Sequence, residues 1–164
     1  MKLSDAESEK LRDIGLFGGL SDETLHGFTS PLDVIELAPG AIVFQEGDAG
    51  REMFVVLEGR MEVLKRSKRD REIVVASLRA GTWFGERSLL DVMPRPATIR
   101  AAEASRLLRV TAHDLDVLYR RDLKSYTLMV LNITREMSRQ LRLADELLSD
   151  LMANLTDEYA PLRG

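Results

Sequence analysis

The run Phe84-Gly85-Glu86-Arg87-Ser88-Leu89-Leu90, followed by Pro94-Arg95-Pro96-Ala97-Thr98, sets a carboxylate and a guanidinium on either side of a short turn, behind a glycine. A carboxylate accepts hydrogen bonds from sugar hydroxyls, an arginine forks onto an anionic phosphate, and a glycine lets the backbone approach a ligand. Such a segment suits a ribose and a phosphate held together, which is the chemistry of a small-nucleotide sensor. The competing reading of Glu86 and Arg95 is a structural salt bridge.

Other chemistries find less support. His26 and His113 fall on helix starts far apart in sequence with no further ligand cluster, so no metal site is expected. No Ser–His–Asp arrangement, paired acid or lysine-bearing phosphate loop is present, which argues against an enzyme. Cysteine is absent, which excludes disulfides, iron–sulfur clusters and a thiol nucleophile, and suits a reducing compartment. A net charge of -4 and a pI near 5.3 give no general attraction to nucleic acid or to an anionic membrane. The N-terminus lacks an apolar signal core and no run of about 18 apolar residues occurs, so a soluble, cytoplasmic protein is expected.

These residues need a scaffold, and 164 residues with 45% hydrophobic content suffice for one domain with its own core. Ser4 with Glu7 resembles a capping box, and Leu11, Ile14 and Leu16-Phe17 follow on one side of a first helix that Gly18-Gly19 would end. A second helix starts at Ser21-Asp22 and stops at Pro31. From Val34 to Val110 short apolar strands alternate with turn residues, including Pro39-Gly40 for a type II turn and an exposed charged hairpin tip over Lys65 to Arg71. The predicted fold is mainly β: an antiparallel, jelly-roll-like β-roll over 34–110, flanked by short N-terminal helices over 4–31 and by C-terminal helices over 112–155. Trp83 is read as core or rim.

After Thr111 the period becomes helical. Thr111 and Asp114 resemble a second capping box, and a break near Asp122 precedes a long helix. There Val130, Thr134, Met137, Leu141, Ala144, Leu148, Leu151 and Leu155 follow the steps of a coiled-coil seam, beside a second strip of Met129, Ile133, Leu143 and Leu147. One strip packing on the roll and the other on a partner helix would make a homodimer; both packing inside a monomer is the alternative. A frayed tail is expected after Leu155.

The ordered motifs Pro39-Gly40-Ala41-Ile42-Val43-Phe44-Gln45-Glu46-Gly47-Asp48, Met53 to Val63 around Glu58-Gly59, Phe84-Gly85-Glu86 and Pro94-Arg95-Pro96-Ala97-Thr98 resemble the cyclic-nucleotide-binding domain family. That family includes the catabolite activator protein, the regulatory subunit of the cAMP-dependent kinase and cyclic-nucleotide-gated channels. The resemblance covers roughly Leu11 to Leu155 and implies an antiparallel β-roll flanked by helices. It implies that Glu86 takes the ribose 2′-hydroxyl with help from the Gly85 backbone, and that Arg95 pairs with the cyclic phosphate. The backbone amides of Ser88 and Leu89 would face the anion. The ligand-binding set is thus Phe84, Gly85, Glu86, Arg87, Ser88, Leu89, Arg95, Pro96 and Ala97. Gly47, Gly59 and Gly81 match turn positions and are read as structural. Arg139, Arg142, Ala144 and Asp145 lie where relatives close over the purine; the plainer reading of each is a solvated face with local ion pairs.

Three departures from the family pattern bear on affinity. Family members usually carry Ala, Ser or Thr after the phosphate arginine and use its amide on the phosphate. Here Pro96 has no N–H, which would weaken binding by about 1–3 kcal/mol, and it lacks the hydroxyl that favours guanine, so cAMP is the better ligand. Arg87 replaces an apolar residue, either facing solvent or adding a charge near the phosphate. Ser88 replaces Ala or Gly.

Three functions follow from these observations. The first is a stand-alone cAMP-binding regulatory module in signal transduction, in which ligand changes the C-terminal helix or dimer and so reaches an effector protein that the sequence does not name. The second is a degenerate roll used for interaction or dimerisation, with no nucleotide and no cofactor. The third, a DNA-binding regulator of the catabolite-activator type, would need a helix-turn-helix domain after Leu155, where only Thr156 to Gly164 follow, so it is disfavoured.

Overall fold

Two capping boxes set where helices begin, both as the sequence predicts. Ser4 and Glu7 close one at the start of α1 (Asp5–Lys10), and Thr111 and Asp114 close the other at α4 (Ala112–Arg121). Each satisfies backbone N–H groups that a first helical turn leaves without partners. The computed structural model describes residues 2–159. The first helix is shorter than its apolar pattern predicts: after Lys10 the chain continues in two 3-10 turns, Leu11–Asp13 and Gly15–Phe17. These bury Leu11, Leu16 and Phe17 from successive tight turns, which a continuous α-helix would spread over its length. α2 (Asp22–Thr29) follows, capped by the Ser21 hydroxyl.

The strands fall where the turn residues place them: β1 (Asp33–Leu37), β2 (Ile42–Phe44), β3 (Glu52–Glu58), β4 (Arg60–Arg66), β5 (Glu72–Arg79), β6 (Trp83–Phe84), β7 (Thr98–Ala101) and β8 (Ser105–Thr111). Pro39-Gly40 forms its turn between β1 and β2, with Gly40 at φ +83° and the Ala41 N–H donating to the Ala38 carbonyl. Two four-stranded antiparallel sheets result, ordered β1-β8-β3-β6 and β2-β7-β4-β5. β3 explains how they stack. Its alternate residues Met53 and Val55 join the cluster under the helices, with Leu11, Phe17, Leu108 and Val110, while Phe54 and Val56 join Met61, Phe84, Ile99 and Leu107 between the sheets. A strand buried on both faces holds no free surface, so the roll and the helices share one rigid element.

Asp122 ends α4 and starts α5 (Leu123–Tyr159), accepting from the Ser125 N–H at 3.1 Å and the Ser125 hydroxyl at 2.6 Å. These bonds hold its carboxyl below the usual aspartate range. The first half of α5 docks on the roll through Met129, Ile133 and Met137, and the Asn132 amide donates to the carbonyls of Leu16 (3.1 Å) and Gly18 (2.9 Å). The two apolar strips therefore divide along the helix and not around it. Met129 and Ile133 are buried, but Leu143 and Leu147 of the same strip are exposed, with Leu141, Leu148, Leu151 and Leu155. The reason is length: 37 residues of helix reach about 55 Å, farther than the roll extends beneath them. The expected tail overlaps the last helical residues through Tyr159, and residues 160–164 lie outside the described ones.

No helix is long and apolar enough to cross a membrane among the described residues.

Candidate functional site

Arg95 is placed by its neighbours. Prolines at 94 and 96 fix φ on both sides and restrict the residue before each. The Arg95 N–H donates to the Asp48 carbonyl at 2.8 Å, and the Gly47 N–H donates to the Arg95 carbonyl at 2.9 Å. This pair fastens the segment to the turn between β2 and β3. The side chain runs inward and is only 2% exposed. Nη1 donates to the carbonyls of Glu52 (2.8 Å) and Gly85 (3.1 Å), and Cζ lies 4.0 Å from the centroid of the Phe44 ring. The Nε–Nη2 edge makes no hydrogen bond to the described residues, and Nε is fully buried. Burial pulls this guanidinium below the ordinary arginine value, opposed by the carboxylates of Glu52, Asp48 and Glu86. An edge with parallel N–H groups, backed by two carbonyls, is the geometry that takes an oxyanion in a fork.

Gly85 links this group to the acid. It caps α3 (Glu86–Leu90) at φ +88°, a left-handed conformation that favours glycine, and a Cβ there would stand 2.8 Å from Arg95 Nη1 and 3.1 Å from the Glu52 carbonyl oxygen. Glu86 follows, 6% exposed. Burial chiefly raises its pKa, against its own backbone N–H and Arg87; Glu136 on α5 adds to the rise and Arg95 opposes it. Glu86 and Arg95 form no ion pair with each other among the described residues, so the competing salt-bridge reading has no support in the geometry.

The remaining candidates divide into three groups. Ser88 is buried with its hydroxyl unpartnered, and Ala97 is buried two residues after Arg95. Arg87 and Pro96 are exposed, and the Arg87 charge is close enough to Glu86 to oppose the rise in its pKa. Leu89 packs against the cluster under the helices, and Phe84 belongs to the one between the sheets, with ring centroids 5.4 Å from Phe54 and 5.9 Å from Phe44. Phe84 thus supports the site from behind. On α5, Arg139 pairs with Glu136 at 2.6 Å and Arg142 donates to the Ser138 hydroxyl at 3.1 Å, while Ala144 and Asp145 are exposed: the solvated-face reading describes all four.

Three participants were not foreseen: Phe44, Glu52 through its carbonyl, and Gly50, where a Cβ would fall 2.2 Å from Arg95 Nε. The only sequence signal for Gly50 was its place just after the Glu46-Gly47-Asp48 turn. Among the described residues no group of three His, Cys, Asp or Glu could hold a metal ion.

Comparison with known proteins gives the family. Residues 34–122 match the family model of the cyclic nucleotide-binding domain. The chain is 32% identical over 151 residues to the cyclic AMP receptor protein of Thermus thermophilus, covering 90% of this chain and 68% of that protein. It is 38% identical over 95 residues to the cAMP-dependent protein kinase regulatory subunit of Mycosarcoma maydis, 58% of this chain and 18% of that protein. The chain spans less than a quarter of the curated kinase regulatory subunits it matches. In fold it resembles a cyclic nucleotide-binding domain from Methylobacillus flagellatus, with a TM-score of 0.81 at 22% identity, covering 92% of this chain and 88% of that one. A family model matched over more than half of the chain, on the β-roll that carries Glu86 and Arg95, makes this protein a member of the cyclic nucleotide-binding domain family.

Proposed function

We propose that this chain is a regulatory module that binds a cyclic nucleotide, cAMP in preference to cGMP, and that binding changes the arrangement of α5. The observation that carries the proposal is that Glu86 and Arg95, both more than nine-tenths buried in one segment, are not spent on each other. Burying two opposite charges apart is unfavourable unless a third group satisfies both. A cyclic nucleotide does so: its ribose hydroxyl donates to the Glu86 carboxylate and its phosphate accepts from the Nε–Nη2 edge of Arg95. The absence of a hydroxyl after Arg95 and the names of the two cAMP-linked relatives support adenine. In this role the protein performs no catalysis.

Isothermal titration calorimetry tests this directly. cAMP should give a saturable isotherm and cGMP a weaker one. No heat from either at millimolar concentration would sink the proposal in favour of an interaction module without nucleotide, the reading that Pro96 favours.

Glu86 adds a pH signature. Its folded pKa is raised, so the unliganded fold loses stability as pH climbs from the ordinary carboxylate range through the raised value. Binding needs the carboxylate and should tighten over the same interval. Glu86→Gln should therefore melt higher than the wild type at neutral pH and match it in acid. Its cAMP affinity should fall about ten- to a hundredfold, with the pH dependence gone. Unchanged affinity in that variant would remove Glu86 from the site.

The proposal extends to a homodimer through α5. From Leu141 to Leu155 every residue is exposed, including Leu141 at 63% and Leu147 at 70%, and a leucine-rich helical face of that length is unusual without a partner. A second copy fits it by the heptad spacing of the seam. Sedimentation should give a dimer that Leu141→Arg dissociates; a monomeric wild type defeats the extension.

A further inference from the structure

Each four-stranded sheet has two edge strands, and β5 is the longest of these edges: eight residues against five in β1, three in β2 and two in β6. It pairs along one side with β4 and along the other with no strand among the described residues. An open edge presents a row of backbone N–H and C=O groups to any extended chain, and folds blunt it with short strands, prolines, charges or bulges. β5 has one such device, a bulge at Val75, which falls as an extra residue between Val74 (opposite Leu64) and Ala76 (opposite Val63). It has no proline, and its charged residues, Glu72 and Arg79, stand only at its two ends.

Between those ends, side chains that face water are apolar. Residues 72 to 77 are all exposed, with Ile73 at 49%, Val74 at 51% and Val75 at 55%. Three consecutive β-branched side chains left half in water suit a strand that another chain covers. Both ends are cationic. The tip that leads into β5, Lys65-Arg66-Ser67-Lys68-Arg69-Asp70-Arg71, holds five cations and one acid on a chain whose net charge is -4. Lys65 lies 3.9 Å from Glu46 and Arg66 lies 3.4 Å from Asp70, while Lys68, Arg69, Arg71 and, at the far end of β5, Arg79 have no ion pair among the described residues.

We propose that the open edge of β5 is a docking site for an extended segment of another protein, apolar at its centre and acidic at its ends, which joins the sheet as a further strand. Its backbone completes the ladder, its apolar residues cover Ile73, Val74 and Val75, and its carboxylates meet Lys68, Arg69 and Arg71 at one end and Arg79 at the other. Other occupants satisfy fewer of these groups. An anionic membrane would take the cations, but its hydrocarbon offers no partner to an open strand edge. A single-stranded nucleic acid would also take the cations, yet it would meet aliphatic side chains where its bases need aromatic ones to stack on. A second copy pairing antiparallel through β5 would bring the cationic tip of each strand to the Arg79 end of the other. None of these residues belongs to the segment that carries Glu86 and Arg95, so this surface holds whether or not the chain binds a nucleotide.

The probe is a fluorescent synthetic peptide, Glu-Asp-Val-Thr-Ile-Thr-Val-Asp-Glu, titrated with the whole chain by anisotropy, with amide hydrogen exchange of the complex followed by NMR. Wild type should bind it saturably, and the peptide should slow the exchange of amides between Ile73 and Leu78 that are unprotected in the free protein. Val74→Lys with Val75→Lys should weaken binding about tenfold, as should Lys68→Glu with Arg69→Glu. Both variants should melt close to wild type, because all four side chains are exposed. A peptide with proline at its central position and the same charges should bind at least about tenfold more weakly, since proline cannot donate to the ladder. No binding at millimolar peptide overturns the proposal. So does binding that leaves the β5 amides unprotected, or that oligothymidylate or phosphatidylserine vesicles match, which marks a general anion patch. Self-association of the Leu141→Arg chain that the paired lysine substitutions abolish assigns the edge to a second copy and overturns it as well.

Discussion

Arg95→Ala should abolish detectable cAMP binding while leaving the β-roll folded. The guanidinium offers the phosphate two N–H groups from one edge, and each charge-assisted bond to a dry anion contributes about 1.5–3 kcal/mol. Losing both weakens binding by roughly two to four orders of magnitude, beyond what a titration at ordinary concentrations records. Truncation also releases the Glu52 and Gly85 carbonyls and uncovers the Phe44 ring, so the variant should melt lower as well. Arg95→Lys separates the two effects. Lysine keeps a charge but not a fork, and should bind about ten- to a hundredfold more weakly than wild type with less loss of stability. If Arg95→Ala binds cAMP as the wild type does, the phosphate is not held here.

The β-roll was legible because its punctuation is chemical. Pro39-Gly40, Gly47, Gly59 and Gly81 mark turns whose backbone angles, at φ +83°, +92°, +85° and +88°, favour glycine, and the apolar runs between them became the strands. The capping boxes were equally local, since each needs only four consecutive residues. Where the structure departs from the local pattern, the decisive contact is distant in sequence. The first helix broke into 3-10 turns because Leu11, Leu16 and Phe17 had to meet Met53 and Val110. The strips on α5 were correctly apolar, but no periodicity states where the roll beneath a helix ends.

The candidate site shows the same division. Glu86 and Arg95 were readable from their types and spacing, and the structure brings their segment together around Gly85. That Phe84 would face the core with Phe44 and Phe54 was not, because an aromatic residue beside a ligand motif looks the same on either face of its strand. Arg87 and Ser88 are adjacent on a short helix, yet one is exposed and the other buried. That choice depends on how α3 sits against the roll.

Gly50→Ala should weaken cAMP binding almost as much as removing Arg95, although residue 50 offers the ligand no side chain. An ideal Cβ at Gly50 falls 2.2 Å from Arg95 Nε and 2.4 Å from both Cζ and Nη2, closer than real Cβ atoms approach anything. A flexible side chain could ordinarily swing aside at little expense. Arg95 cannot, because two carbonyls hold Nη1, Phe44 covers the guanidinium and prolines fix the backbone on both sides. Displacing it forfeits those contacts and turns the Nε–Nη2 edge away from the phosphate, so affinity should fall at least a hundredfold. The backbone of Gly50 lies outside the left-handed region, so alanine adds no conformational strain there and the variant should remain folded. Gly47→Ala supplies the contrast: at φ +92° with nothing within 4 Å of its Cβ, it should lose about 1 kcal/mol of stability and keep its affinity. Calorimetry and thermal melts on the two variants separate a glycine kept for its backbone angle from one kept for the space it leaves to Arg95, and equal cAMP affinities would show that Arg95 does not need that space.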